Sequence, residues 1–139
     1  MKVIVADRMR VEAGLGLLLE HVVVSIRDPD RKPARIQKDP KLREVLCLAF
    51  DDAEPGGRFL LPKSIQLMTA DHAKAIWAFV DRHKASAPLM VVHCEMGLSR
   101  SPAVAAAIAR ALGGEDDFFF REYLPNRFVY DLMLKARGL

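Results

Sequence analysis

The chain has 139 residues, of which 51% are hydrophobic and 28% charged, enough for one domain of ordinary size with a real core. A formal charge of +3 and a pI near 9.0 suit anionic ligands, but the excess is too small and too dispersed to argue for nucleic acid. No apolar run is long enough to span a bilayer, the opening MKVIVADRMR lacks the long apolar segment of a secretory signal, and two cysteines without a CxxC pair or a His-rich cluster support neither a disulfide framework nor a metal site. The expectation is a cytoplasmic single domain over residues 1–139, with no membrane segment, no metal and no cofactor.

Lys2 to Ala6 is a short β-branched run and reads as a strand, and Arg8 to Leu19 reads as a helix with apolar Val11, Leu15 and Leu18, weakened by Gly14 and Gly16. HVVVSI, from His21 to Ile26, is almost continuously hydrophobic, as in a strand covered on both faces of a mostly parallel sheet. Arg27 to Lys41 carries three prolines and mixed charge and reads as a solvated loop. Its basic residues become a recruiting surface for a phosphorylated partner if the loop borders the site. EVLCLAF, Glu44 to Phe50, is the next strand, and Cys47 within it reads as a small apolar packing residue or, alternatively, as a redox partner for the second cysteine.

Thr69 caps a helix running to about Lys84, with Asp71 in the first turn and Ala73, Ile76, Trp77 and Val80 on one face. Leu89 to His93 is a further apolar strand. An alanine-rich helix from Ala103 to Leu112 ends at Gly113-Gly114. Glu115 to Tyr123 reads as a helix burying Phe118, Phe119 and Phe120, and Asn126 to Ala136 as a last helix capped by Asn126 after Pro125. Alternation of strands and helices gives an α/β domain whose central, mostly parallel sheet is flanked by helices.

The stretch from Met90 to Leu112 carries the chemistry. An apolar strand ends at Cys94, a loop with Gly97 leads to Arg100, and a small-residue helix follows. Five intervening residues let that loop close so that its amides collect at a helix N-terminus, a ready anion site. A cysteine in such a place can titrate at roughly 3.5–7.5 instead of about 8.5, which would make Cys94 a thiolate nucleophile. Arg100 offers a planar fork for two phosphate oxygens, which lysine cannot copy. Ser101 places a hydroxyl where it can donate to the sulfur, and Pro102 suits a first helical turn. A phosphoryl-transferring cysteine also needs a carboxylic acid to protonate the leaving oxygen.

HCEMGLSRS, from His93 to Ser101, resembles the HC-x5-R-[ST] signature of the protein tyrosine phosphatase superfamily. Through Ala107 the stretch is similar to the small dual-specificity-type enzymes and to a bacterial and phage group. The resemblance implies a phosphatase-like fold, a mobile acid loop upstream of the cysteine, and catalysis by Cys94, Arg100 and an aspartate. FDDAEPGG occupies the acid-loop place and resembles the FDD-type loops in which the second aspartate carries the proton, pointing to Asp52 with Asp51 as the alternative. No Trp-Pro pair precedes it, unlike the large classical enzymes.

On this reading His93 orients the nucleophile through loop backbone, and Ser101 helps expel sulfur from the phosphocysteine. Glu95, Met96, Gly97, Leu98, Ser99 and Arg100 line the substrate phosphate. Phosphoinositide-type relatives carry lysines inside the loop, and Glu95 there argues against that substrate. The expected partner is a phosphorylated protein or peptide, with phosphate- or vanadate-type anions held in the loop. Phosphotyrosine comes first, with some phosphoserine or phosphothreonine activity. The alternatives are an RNA 5′-triphosphatase, a phosphoinositide phosphatase, or a phosphate-binding module without turnover. Pro125-Asn126-Arg127 resembles a recurrent feature of the bacterial and phage group for which the sequence supplies no role beyond a helix cap.

Overall fold

The computed structural model describes residues 1–57 and 60–139. Four strands, β1 (Lys2–Asp7), β2 (His21–Arg27), β3 (Leu42–Ala49) and β4 (Leu89–Cys94), form one parallel sheet in the order β1-β4-β2-β3. The two central strands, β2 and β4, are buried along nearly their whole length, as their largely apolar runs require. Each buried Val or Ile side chain contributes about 1.5–3 kcal/mol of transfer free energy, an upper bound for a compact unfolded chain.

Helices cover one face. They are α2 (Ala70–His83), α3 (Arg100–Ala111), the short α4 (Asp117–Glu122) and α5 (Arg127–Arg137). Residues alternate across the sheet, so Val22, Val24, Ile26, Met90 and Val92 point into this main core with Phe50, Ile76, Phe79, Ile108 and Met133. In α3 the fully buried Ala103, Ala105, Ala106 and Ala107 let the helix lie close against β1 and β4. Trp77 on α2 donates its indole N–H to Met133 O on α5 at 2.9 Å. Arg137 on α5 adds a bidentate pair with Asp81 and stacks over the Trp77 ring at 4.7 Å.

The opposite face is covered by α1 (Arg8–Ala13) and by loop. The helix expected to run to Leu19 stops at Ala13 because Gly14 takes φ of 100° and Gly16 φ of 61°, conformations that L side chains avoid. Segment 28–41 is irregular, as its prolines demand. It is more than a solvated connection, since Ala34 and Ile36 pack with Leu15 and Leu17 on a second cluster built from Ala6, Val11, Val23 and Val91.

Two further expectations are corrected. Phe119 is buried, but Phe118 is about half exposed, because α4 is only six residues long and presents one narrow side to the core. Cys47 is exposed rather than packed. It stands in register with Ser25, which pairs with His93, so β2 separates it from Cys94 and the two cysteines face opposite sides of the sheet. Two strand spacings of about 4.8 Å exceed the roughly 7 Å Cα separation that a disulfide tolerates. A protective Cys47–Cys94 bond is therefore excluded without rearrangement.

Thr69 caps α2 through a capping box in which His72 replaces the usual Glu, its Nδ1 accepting from Thr69 N at 3.0 Å. Burial holds the His72 ring below the ordinary imidazole range, as an accepting nitrogen requires. No helix among the described residues is long and apolar enough to cross a membrane.

Candidate active site

All four strands point their C-terminal ends toward one edge, where parallel α/β sheets hold their ligands. β4 ends at Cys94 and α3 begins at Arg100, two residues before Pro102, so the intervening turn is a closed loop over the α3 N-terminus. Gly97 takes φ of 67° there, and a Cβ on it would lie 3.0 Å from the carbonyl carbon and oxygen of Ala6 at the end of β1. Only glycine fits both the conformation and the space.

Four carbonyls of this loop are engaged. His93 Nδ1 donates to Cys94 O at 3.2 Å, Arg8 N to Glu95 O at 3.2 Å, Leu124 N to Leu98 O at 3.0 Å and Asn126 N to Ser99 O at 3.0 Å. In a trans peptide the C=O and the following N–H point in opposite directions, and the chain has no cis bonds. The amides of Glu95, Met96, Ser99 and Arg100 are thereby turned away from those partners, an arrangement suited to cradling an anion at the α3 N-terminus.

Cys94 is buried at the cradle's floor. Its Sγ lies 3.1 Å from Ser101 Oγ and accepts from Gly97 N at 3.3 Å. In the contact with Ser101 either atom can donate, whereas the Gly97 N–H donates to the sulfur. His93 Nδ1 faces a carbonyl and must carry the proton, which leaves Nε2 to accept from Ser25 O–H at 2.6 Å. Burial is the main reason that His93 stays below the ordinary imidazole range, and both contacts fit the neutral ring. His93 is thus held from β2 on one side and bonded to loop backbone on the other.

Arg100 is almost fully buried, 4% exposed. Its Nη1 donates to Phe50 O at 2.7 Å and pairs with Asp28 Oδ1 at 2.7 Å. Its buried Nε has no hydrogen-bond partner among the described residues. An unmet buried donor of this kind costs about 1–3 kcal/mol, and a phosphate bound along the Nε edge would satisfy it. Asp28, just past β2, had no sequence signal marking it; only the fold brings it to Arg100.

The two aspartates separate. Asp51 turns to its own loop, accepting from Gln66 N at 2.8 Å through Oδ2 and donating its backbone N–H to Gln66 O at 2.7 Å. Asp52 turns to the cradle. Its Oδ1 accepts from Ser99 Oγ and from Asn126 Nδ2, each at 2.8 Å. Asn126 also caps α5 through Oδ1, as its place after Pro125 implies, and donates to Ala53 O at 3.1 Å.

Glu95 is placed differently from the expected lining residue. Its carboxylate accepts from Arg8 Nη1 at 3.0 Å and Arg31 Nη1 at 2.6 Å, so its side chain belongs to the 28–41 loop and only its amide to the cradle. Met96 and Leu98 expose their side chains at the rim, 71% and 48%, and likewise contribute backbone. Among the described residues no group of three or more His, Cys, Asp or Glu side chains converges as a metal site.

No protein-family model matches the sequence, and no curated protein matches it. Solved structures do. A mouse protein described as a dual-specificity phosphatase, complexed with zinc tungstate, aligns over 96% of this chain and 80% of its own with a TM-score of 0.64 at 17% identity. Human DUSP28 aligns over 98% of this chain and 91% of its own with a TM-score of 0.60 at 17% identity. The human tyrosine phosphatase-like serine/threonine/tyrosine-interacting protein aligns over 96% and 85% with a TM-score of 0.59 at 18% identity. At these identities the likeness establishes the fold: a single α/β layer arrangement of the dual-specificity phosphatase type.

Proposed function

We propose that this protein is a cysteine-dependent phosphatase that hydrolyses phosphomonoesters on proteins, phosphotyrosine first and phosphoserine or phosphothreonine less well, in the cytoplasm and without a cofactor. The observation that carries the reading is the convergence on one loop of Cys94 Sγ with Ser101 Oγ at 3.1 Å, the unmet Nε of Arg100, and Asp52 bonded to Ser99.

Cys94 thiolate attacks phosphorus in line, forming the S–P bond as the P–O bond to the leaving group breaks. Asp52 gives its proton to the departing oxygen. Arg100 and the inward amides hold the equatorial oxygens, whose charge they match through the transition state. Water then attacks phosphorus, Asp52 takes its proton, and the S–P bond breaks with Ser101 O–H donating to the returning thiolate.

The test is release of p-nitrophenol from its phosphate ester with EDTA present, by the unsubstituted chain and by Cys94→Ser, with and without vanadate. Turnover that survives EDTA, is inhibited by vanadate and disappears in Cys94→Ser is expected. Equal turnover by Cys94→Ser would sink the thiolate mechanism, and no turnover by either with vanadate still bound would leave a phosphate-binding module.

A further inference from the structure

The residue after the nucleophile carries a carboxylate, although a negative charge beside an anion site opposes the anion. Glu95 is nonetheless held there firmly. Its side chain is 9% exposed, Oε1 accepts from Arg8 Nη1 at 3.0 Å and Oε2 from Arg31 Nη1 at 2.6 Å. Arg8 grips the same residue a second time, donating its backbone N–H to Glu95 O at 3.2 Å.

The group that Glu95 holds is a turn. Asp28-Pro29-Asp30-Arg31 closes through Arg31 N on Asp28 O at 3.0 Å, with proline in the second position, where its fixed φ suits the bend. Glu95 meets both ends of that turn, the first through Asp28 N, which donates to Oε1 at 3.4 Å, and the last through the Arg31 guanidinium. Arg27 braces the bend as well, its Nη1 donating to Asp28 O at 3.4 Å and Pro29 O at 3.3 Å. From this turn Asp28 reaches the phosphate loop, its Oδ1 pairing with Arg100 Nη1 at 2.7 Å. A single residue therefore links the two sites, Asp28 taking hold of Glu95 by its backbone and of Arg100 by its side chain.

Arg100 Nη1 is tied by Asp28 and Phe50 O, which leaves the unmet Nε for an anion. Any shift of the turn moves Asp28, and the guanidinium follows. Resting on the phosphatase reading above, we propose that Glu95 is a positioning residue: it pins the turn after β2 so that Asp28 aims Arg100 at the phosphate.

The sign of one substitution separates this role from a plain charge effect. Glu95→Gln removes a negative charge near the cradle and frees two arginines, so through space alone an anion should bind more tightly. Loss of aim predicts the reverse. The experiment measures tungstate binding by titration calorimetry, at fixed ionic strength, to the unsubstituted chain, Glu95→Gln, Asp28→Ala and the double variant. Each single variant should bind on the order of ten-fold more weakly. The double variant should lie within about two-fold of the weaker single, whereas independent effects would multiply to about a hundred-fold. Arg31→Ala reads the same role in a chain that keeps the buried Glu95–Arg8 pair. It should lose about two- to three-fold, and nothing further when added to Asp28→Ala.

Tighter or unchanged binding in Glu95→Gln overturns the proposal, as do losses that multiply in the double variants. Turnover of p-nitrophenyl phosphate by the unsubstituted chain is read in parallel. Its absence counts against the phosphatase reading alone, because the tungstate ratios are equilibrium measurements; an unsubstituted chain that binds no tungstate overturns both.

Discussion

Asn126 Nδ2 lies 2.8 Å from Asp52 Oδ1, joining the start of α5 to the loop that follows β3 across 74 residues of sequence. The same side chain donates to Ala53 O and caps α5 at Val129 N, so one amide fixes an acid loop and begins a helix. Asn126→Ala removes all three bonds. Loss of the cap alone costs about 1 kcal/mol of stability. Turnover should fall by roughly one to two orders of magnitude for alkyl phosphates, whose leaving group needs the acid most, while vanadate affinity stays within a few-fold. Parallel kinetics and vanadate inhibition decide it.

Asp52→Ala should lower turnover by about 10²–10⁴-fold for a poor leaving group and less for p-nitrophenol. A general acid must be protonated to act, so its loss should also remove the fall in rate on the alkaline side of the pH profile. Asp51→Ala should keep that limb, because Asp51 accepts from Gln66 N within its own loop. A preserved alkaline limb in Asp52→Ala would move the role elsewhere.

Asp28 holds Arg100 Nη1 at 2.7 Å and thereby fixes which edge of the guanidinium meets an anion. Asp28→Ala should reduce kcat/KM for p-nitrophenyl phosphate roughly ten-fold through misorientation, with Asp28→Asn, which keeps an accepting oxygen, losing less. A rise in kcat/KM in either variant would show that the carboxylate opposes phosphate more than it orients arginine.

Stability should fall on acidification partly through His93. Burial holds its folded-state pKa below the unfolded value of about 6.5, so below that pH the unfolded chain binds the proton and the folded chain does not. The stabilisation is full above about pH 6.5 and is lost as pH falls through the lowered folded value. Urea denaturation between pH 8 and 5 should show the decline, and His93→Gln should flatten part of it. Ser25→Ala, which leaves Nε2 without its donor, should cost about 1 kcal/mol at pH 7.5.

Trp77 is buried and its N–H meets Met133 O. Trp77→Phe keeps much of the apolar contact and leaves Met133 O its own helical N–H, so the loss is that of one hydrogen bond, about 0.5–1.5 kcal/mol, readable as a thermal midpoint a few degrees lower.

Local patterns foretold most of the frame. A nearly continuous β-branched run marked β2 and an apolar run marked β4, Thr69 marked the start of α2, and the spacing of Cys94 and Arg100 marked a closed loop before a helix, because each is a property of neighbouring residues. The misses share a cause. Ala34 and Ile36 look like loop residues until the second sheet face needs covering, and a glutamate after Cys94 looks like lining until Arg8, 87 residues away, reaches it. Asp28 carried no signal at all, and Asn126 stood out only within a stretch whose role the sequence did not supply, since partners at such separations leave no periodic trace.

The two halves of the proposed chemistry hang on different parts of the chain. Anion capture would rest on the turn between β4 and α3 and on Arg100, which Asp28 and Phe50 hold, whereas the proposed proton donor is held in place from α5, whose far end is in turn fastened to α2 by Arg137 and Asp81. On the proposed reading a single amide weights a catalyst toward a receptor: descendants that lose it would keep gripping phosphorylated partners while processing them more slowly, a first step from erasing a signal toward reading it.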